Sequence, residues 1–179
     1  MKEIIAKRYA RALIQIGRED GQYEQYEQQL KAFEVVLQQS EELRAVMDNP
    51  IYNKDQKKAI FDALKDQLEL SPLVINFIAL LIDKRRLGYF SEIVRCYGRL
   101  ADELAGRIRA RVLSAVPLSE PSVTEIQEKL SAITGKEVLI TAEQDPELIG
   151  GVVTQVGDLV YDGSIRTQLE NMKERLAKG

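Results

Sequence analysis

The residue types best suited to chemistry fall in one stretch, DPELIGGVVTQVGD, running from Asp145 to Asp158. Two adjacent glycines, Gly150 and Gly151, head an apolar run, and carboxylates bracket it. A glycine pair can let backbone amides cradle a phosphate, and paired carboxylates such as Asp145 with Glu147, or Asp158 with Asp162, are the groups that general acid and base catalysis uses. A phosphate loop, however, needs a lysine and a Ser or Thr after its last glycine, with a helix behind them. Valines and a strand pattern follow here instead. Gly150, Gly151 and Gly157 also miss the G-x-G-x-x-G spacing. Nothing arranges the carboxylates around a pocket, and aspartates are common in turns because they hydrogen-bond the local backbone. These residues therefore read as structural. Gly150 and Gly151 free the backbone where a strand starts close to its neighbours, and Gly157 with Asp158 closes a hairpin.

Composition removes most other chemistry. There is no histidine and Cys96 is the only cysteine, which excludes a Cys/His zinc site, a Ser-His-Asp or Cys-His arrangement and an intramolecular disulfide. Cys96 sits in a helical pattern and reads as a small packed hydrophobe. No catalytic residue, cofactor or metal is expected. The 25 basic residues are balanced by 28 acidic ones, so bulk charge leaves no footprint for nucleic acid. The longest apolar run, Pro72 to Ile82, is about half of the ~20 residues that a spanning helix needs. The start, MKEIIAKRYARAL, is amphipathic but contains Glu3 and lacks a small-residue cleavage site, so it reads as neither a signal nor a transit peptide. The expectation is a soluble protein without membrane insertion.

The elements that must position any site fall into two halves. From Lys2 to about Ala105, apolar residues recur at three- and four-residue spacing with short breaks. Gly17 to Gly21 separates a first helix from YEQYEQQLKAFEVVLQQ. Ser40 can cap EELRAVMD, which Asn49-Pro50 ends, and Asn53 or Asp55 can cap QKKAIFDALKDQL. Ser71-Pro72 reads as an N-cap followed by proline at the first helical position. A last helix runs from about Gly88 or Tyr89 to Leu104. After Gly106 the period becomes two: Arg107, Arg109 and Arg111 alternate with Ile108, Ala110 and Val112, as in a half-buried strand. Ser122 to Glu125 has capping-box spacing and opens a helix that ends near Gly135; KEVLITAE is the next strand, making a right-handed crossover unit. GGVVTQV and LVYD form a hairpin, and Ser164 can cap a final amphipathic helix with Ile165, Leu169, Met172 and Leu176 on one stripe. The expected fold is mainly α: a six-helix bundle over residues 1–105, then a small α/β domain over 106–179.

Two bundle helices carry more apolar surface than one small core uses. On the first, Ile5, Tyr9, Ala12 and Ile16 lead an apolar arc of about 200°, twice the ~100° that packing on one core takes. The helix after Pro72 has one polar residue, Asn76, between Leu73 and Ile82. Such a helix is either central, with neighbours all round, or it flanks a groove that takes a partner's amphipathic helix, and one face can do each. The three cations of DKRRL, Asp83 to Leu87, suit the negative end of a helix dipole. The arginine ladder 107/109/111 lacks interleaved aromatics on which bases would stack, so it reads as a solvated strand face.

The full layout resembles the delta subunit family of bacterial-type rotary ATP synthases, related to the oligomycin-sensitivity-conferring protein. The resemblance rests on AKRYARAL, the NP at 49 and 50, NFIALLIDKRRL, SAVPLS, and above all DPELIGGVVTQVGDLVYDGSIRTQLENMKERL. It implies a peripheral-stalk subunit that ties the catalytic head to the membrane-anchored stator against rotor torque. Such a subunit is non-catalytic, present in one copy per complex, monomeric when isolated, and held at the cytoplasmic face of the cell membrane. It also implies that the N-terminal segment of an alpha subunit lies as a helix between the first and fifth helices. Carried onto this sequence, the groove residues are Tyr9 and Ala12 with Phe77, Leu80 and Leu81, and the helical wheel adds Ile5 and Ile16. The C-terminal domain is expected to meet the C-terminal region of the b subunits. A free-standing adaptor or regulator that grips some other helix is the alternative.

Overall fold

The computed structural model describes residues 2–49, 51–157 and 159–178. The chain divides into two compact units, Met1–Ala101 and Asp102–Gly179. The first is built from helices: α1 (Lys2–Glu19), α2 (Tyr23–Gln39), α3 (Glu41–Asp48), α4 (Lys54–Lys65), α5 (Pro72–Asp83) and α6 (Phe90–Leu104), with a short 3-10 turn at Leu87–Tyr89 before the last. The end of α6 belongs to the second unit.

Small residues set how closely the helices approach. Ala6 and Ala10 bring α1 onto the core with no exposed surface. Phe33 of α2 stands at the centre, edge-on to Phe61 (ring centroids 5.4 Å apart) and to Phe90 (5.2 Å). Val74, Ile78, Leu81 and Ile82 of α5 and Ile93, Val94 and Tyr97 of α6 complete the interior. Tyr97 reaches the α1–α2 connection, where its hydroxyl donates to the Tyr23 carbonyl at 3.0 Å. Gly17 must be small there, because a Cβ would lie 3.0 Å from that hydroxyl and from Tyr23.

Helix starts match the expected caps at Ser40, Asn53 and Ser164 and depart from them at Ser71 and Ser122. Ser40 accepts from the Leu43 amide, and Asn53 with Gln56 forms a reciprocal capping box on α4. Ser71 occupies the N-cap position of α5 without capping through its side chain. Its amide and hydroxyl both donate to Gln29 Oε1, at 3.0 and 2.8 Å, which ties α5 to α2. The capping box expected at Ser122 is likewise displaced: α7 (Glu120–Thr134) starts three residues earlier with Ser119 as its N-cap, because Pro121 suits the first turn, where its missing amide costs nothing. Glu125 instead pairs with Lys129 at 2.6 Å. The C-terminus of α5 closes with the Arg86 amide on the Leu81 carbonyl (2.8 Å) and the Arg85 amide on that of Ile82 (3.0 Å). This is a Schellman closure, and Arg85 takes its left-handed position with φ +53°.

The second unit is a four-stranded mixed sheet of β1 (Arg107–Ser114), β2 (Glu137–Gln144), β3 (Val152–Val156) and β4 (Leu159–Asp162) in the order β2-β1-β3-β4. β1 and β2 run parallel, joined by α7 as a crossover, and the other pairs are antiparallel. α7 covers the face that carries Ala110, Val138 and Val156, with Leu130 and Ile126 pressed onto it. The opposite face holds the arginine ladder. Arg109 Nε donates to Asp102 at 2.5 Å, and Arg111 Nε to Glu143 at 2.9 Å. α8 (Ile165–Lys178) follows β4.

The glycine pair lies where the chain entering β3 passes the start of α8. A Cβ on Gly151, at φ +82°, would come 2.4 Å from the Gly163 carbonyl oxygen, and one on Gly150 would meet Ile165 Cδ1 at 2.6 Å. The Ile165 amide donates to Gly150 and that of Gly163 to Val152. Gly157, φ +59°, stands at the β3–β4 turn. Asp158, its expected partner there, lies outside the described residues, as does Pro50.

Candidate partner-binding surfaces

Between α1 and α5 the bundle leaves an open groove of about 470 Å³. α1 presents Tyr9, Ala12 and Ile16 at i, i+3, i+7, and α5 presents Leu73, Phe77 and Leu80 in a similar rhythm. Tyr9 stands edge-on to Phe77, ring centroids 6.3 Å apart, so the two helices touch at the floor through aromatic rings. Ile16 and Leu80, each 43% exposed, face solvent from opposite walls. From Tyr9 to Ile16 the wall runs about 10 Å, two turns of helix at ~1.5 Å per residue. Arg8 is the one charged residue of the described lining, and its guanidinium lies 5.6 Å from the centre of the Tyr9 ring. An apolar trough of this length with a polar rim can take an amphipathic helix through anchors at i, i+3 or i+4, and i+7.

Five of the seven residues singled out from sequence line this groove: Tyr9, Ala12, Ile16, Phe77 and Leu80. Ile5 does not, lying half-buried one turn earlier on α1. Leu81 does not either. It is 0% exposed and points into the core with Val74, Ile78 and Ile82. Residue 81 is about 100° round the helix from residue 80, which turns it from the groove to the interior. Sequence reasoning missed Arg8, Leu13, Leu73 and Asn76. Asn76, the single polar residue of the run, was the available signal, since a wheel centred on it selects Leu73 and Leu80.

A second apolar surface belongs to the other unit. Ile165, Leu169, Met172 and Leu176 of α8 are all exposed, Leu176 to 82%, and so are Leu159, Val160 and Tyr161 of β4. The stripe that makes α8 amphipathic is thus uncovered within the chain. α8 is anchored at its start, where Ser164 accepts from the Thr167 amide (3.3 Å) and Asp162 accepts from the Ser164 amide (2.9 Å) and the Thr167 hydroxyl (2.8 Å). Those donors, the Ser164 amide foremost, hold the Asp162 carboxyl below the usual carboxylate range.

Among the described residues no cluster of three or more His, Cys, Asp or Glu side chains could hold a metal ion, and Cys96 is buried in α6. No described helix is long and apolar enough to cross a membrane.

The family model described as ATP synthase delta (OSCP) subunit matches residues 5–176. The ATP synthase subunit delta of Desulfosudis oleivorans is 45% identical over 176 residues, covering 98% of this chain and 96% of its own. That of Anaeromyxobacter sp. is 45% identical over 172 residues, covering 96% of each. Among solved structures, a chain of the Toxoplasma gondii mitochondrial ATP synthase hexamer shares the fold with a TM-score of 0.72 at 22% identity, covering 96% of this chain and 97% of that one.

Proposed function

The chain belongs to the ATP synthase delta (OSCP) subunit family, and from that premise we propose that it is a non-catalytic stator link that holds the catalytic head against rotor torque. In this reading the bundle, residues 1–105, takes the N-terminal segment of an alpha subunit as a helix in the α1–α5 groove. The α/β domain, 106–179, grips the C-terminal region of the b subunits through the uncovered stripe of α8 and the apolar edge at β4. One copy serves each complex, peripheral to the cytoplasmic face of the membrane.

The observation that carries the reading is the groove itself. Ile16 and Leu80 remain exposed on facing walls above a floor of Tyr9 and Phe77, a geometry that a bundle sealing only its own core does not need. A link that transmits force without chemistry requires slow dissociation, which comes from a few desolvated aromatic and aliphatic anchors. The test is titration of a synthetic peptide of the alpha N-terminus into the chain and into Tyr9→Ala and Ala12→Asp variants. Tyr9→Ala removes an anchor and Ala12→Asp places a charge in the trough, so each should weaken binding at least about tenfold, the size of a hot-spot loss of over 1 kcal/mol. Both variants should keep the helical circular dichroism of the parent. Undiminished affinity in both would remove the groove assignment.

A further inference from the structure

A second cavity of the bundle is unlike the groove in charge. It encloses about 450 Å³ between the start of α1, the start of α4 and the turn after α5, and is lined by Lys2, Lys54, Lys57 and Arg85 with the rings of Tyr52 and Tyr89. No carboxylate is among its described lining residues, in a chain whose overall net charge is −3. Ile82 and Leu87 form an apolar floor. Several of these groups are held in place. Lys57 donates to the Met47 carbonyl at 2.6 Å, and the Arg86 guanidinium lies 5.6 Å from the centre of the Tyr89 ring.

Arg85 adds an independent observation. It occupies the left-handed position of the Schellman closure, which glycine fills at no steric cost and an L side chain fills only with strain. Glu69 shares this conformation at φ +47°, and such positions cluster at functional sites. Here Arg85 brings a fourth cation to the cavity.

We propose that this cavity is a binding site for a small phosphate-bearing anion with a flat ring, of the nucleoside di- or triphosphate class. Lys2, Lys54 and Arg85 line the cavity together with Lys57, which is held at the Met47 carbonyl, and charge-assisted hydrogen bonds from Lys and Arg are the strong contacts to phosphate. The tyrosine rings and apolar floor suit the base. The volume lies within the ~300–1,000 Å³ typical of small-molecule sites. A bare inorganic anion would leave most of the apolar lining unused.

The test is calorimetric titration of the whole chain, free of divalent cations, with ADP, ATP, pyrophosphate and adenosine. ADP and ATP should bind saturably, pyrophosphate more weakly and adenosine weakest. Lys54→Gln and Arg85→Gly should each reduce affinity for ADP and pyrophosphate about tenfold, as for a lost contact to a charged group. Tyr52→Ala should weaken ADP and leave pyrophosphate unchanged. Arg85→Gly relieves strain, so its loss of binding cannot come from unfolding. No saturable binding of ADP or pyrophosphate, or binding indifferent to Lys54→Gln and Arg85→Gly, would overturn the site. Equal affinity for ADP and pyrophosphate would overturn the nucleotide class. All variants should still bind the alpha peptide, which separates this site from the groove.

Discussion

Leu80 and Leu81 are adjacent, identical in type and opposite in role. Leu81 is wholly buried, so Leu81→Ala should cost about 2–5 kcal/mol of stability, the usual range for a truncated core leucine. Leu80 stands on the groove wall, and Leu80→Asp should leave the thermal midpoint nearly unchanged while abolishing capture of an alpha N-terminal peptide. Thermal melts and peptide titrations of the two variants check both statements, and a reversed pattern would overturn the assignment of faces. In the sequence only Asn76 separates this pair, because the rest of the run is apolar and contains no contrast from which to read a face. On α1, where Lys7 and Arg11 oppose the apolar arc, the groove side was legible at Tyr9, Ala12 and Ile16 but not at Ile5, and Arg8 joins the lining. Ser71 shows the other limit. Its cap position follows from Ser-Pro, but the bonds of its hydroxyl and amide go to Gln29, far away in sequence.

At the scale of elements, the ends of helices carry the clearest expectations. Arg85→Gly keeps the Schellman closure of α5 and removes the left-handed strain, so it should stabilise the bundle by about 1 kcal/mol, measured by denaturant melts. The N-terminus of α8 depends on an ionised Asp162. Because hydrogen bonds from Ser164 and Thr167 lower its folded-state pKa, its contribution is complete above the unfolded value of about 3.9 and is lost as pH falls through the lower folded value. Melts of Asp162→Asn should therefore show a smaller loss of stability between pH 5 and pH 2 than the parent. A parent and variant with parallel acid profiles would contradict this role. Caps were legible where a reciprocal pair was close in sequence, as at Asn53 and Gln56. At α7 two serines competed, and Pro121 decided for Ser119.

For the whole molecule, the proposed function uses two surfaces that lie on separate compact units. Leu169→Ser with Leu176→Ser changes only exposed side chains, where substitutions usually shift stability by less than about 0.5 kcal/mol. The double variant should lose binding to a fragment holding the C-terminal region of the b protein in a pulldown and bind the alpha peptide as the parent does. Loss of both would mean that the surfaces are not independent. The division into a helical and a mixed part was legible from the change of hydrophobic period after Gly106. That the α8 stripe stays bare was not, since an amphipathic pattern records that a face is apolar and not what covers it. The groove floor has the opposite character, because Leu13 and Phe77 serve the bundle's interior and the trough together. Their identity is therefore constrained from two directions over evolutionary time. If the groove receives an alpha segment as proposed, a change of size at Phe77 must be compensated both inside this chain and in that segment, so the two genes should drift in concert at these positions while Ile16 and Leu80 answer to the partner alone.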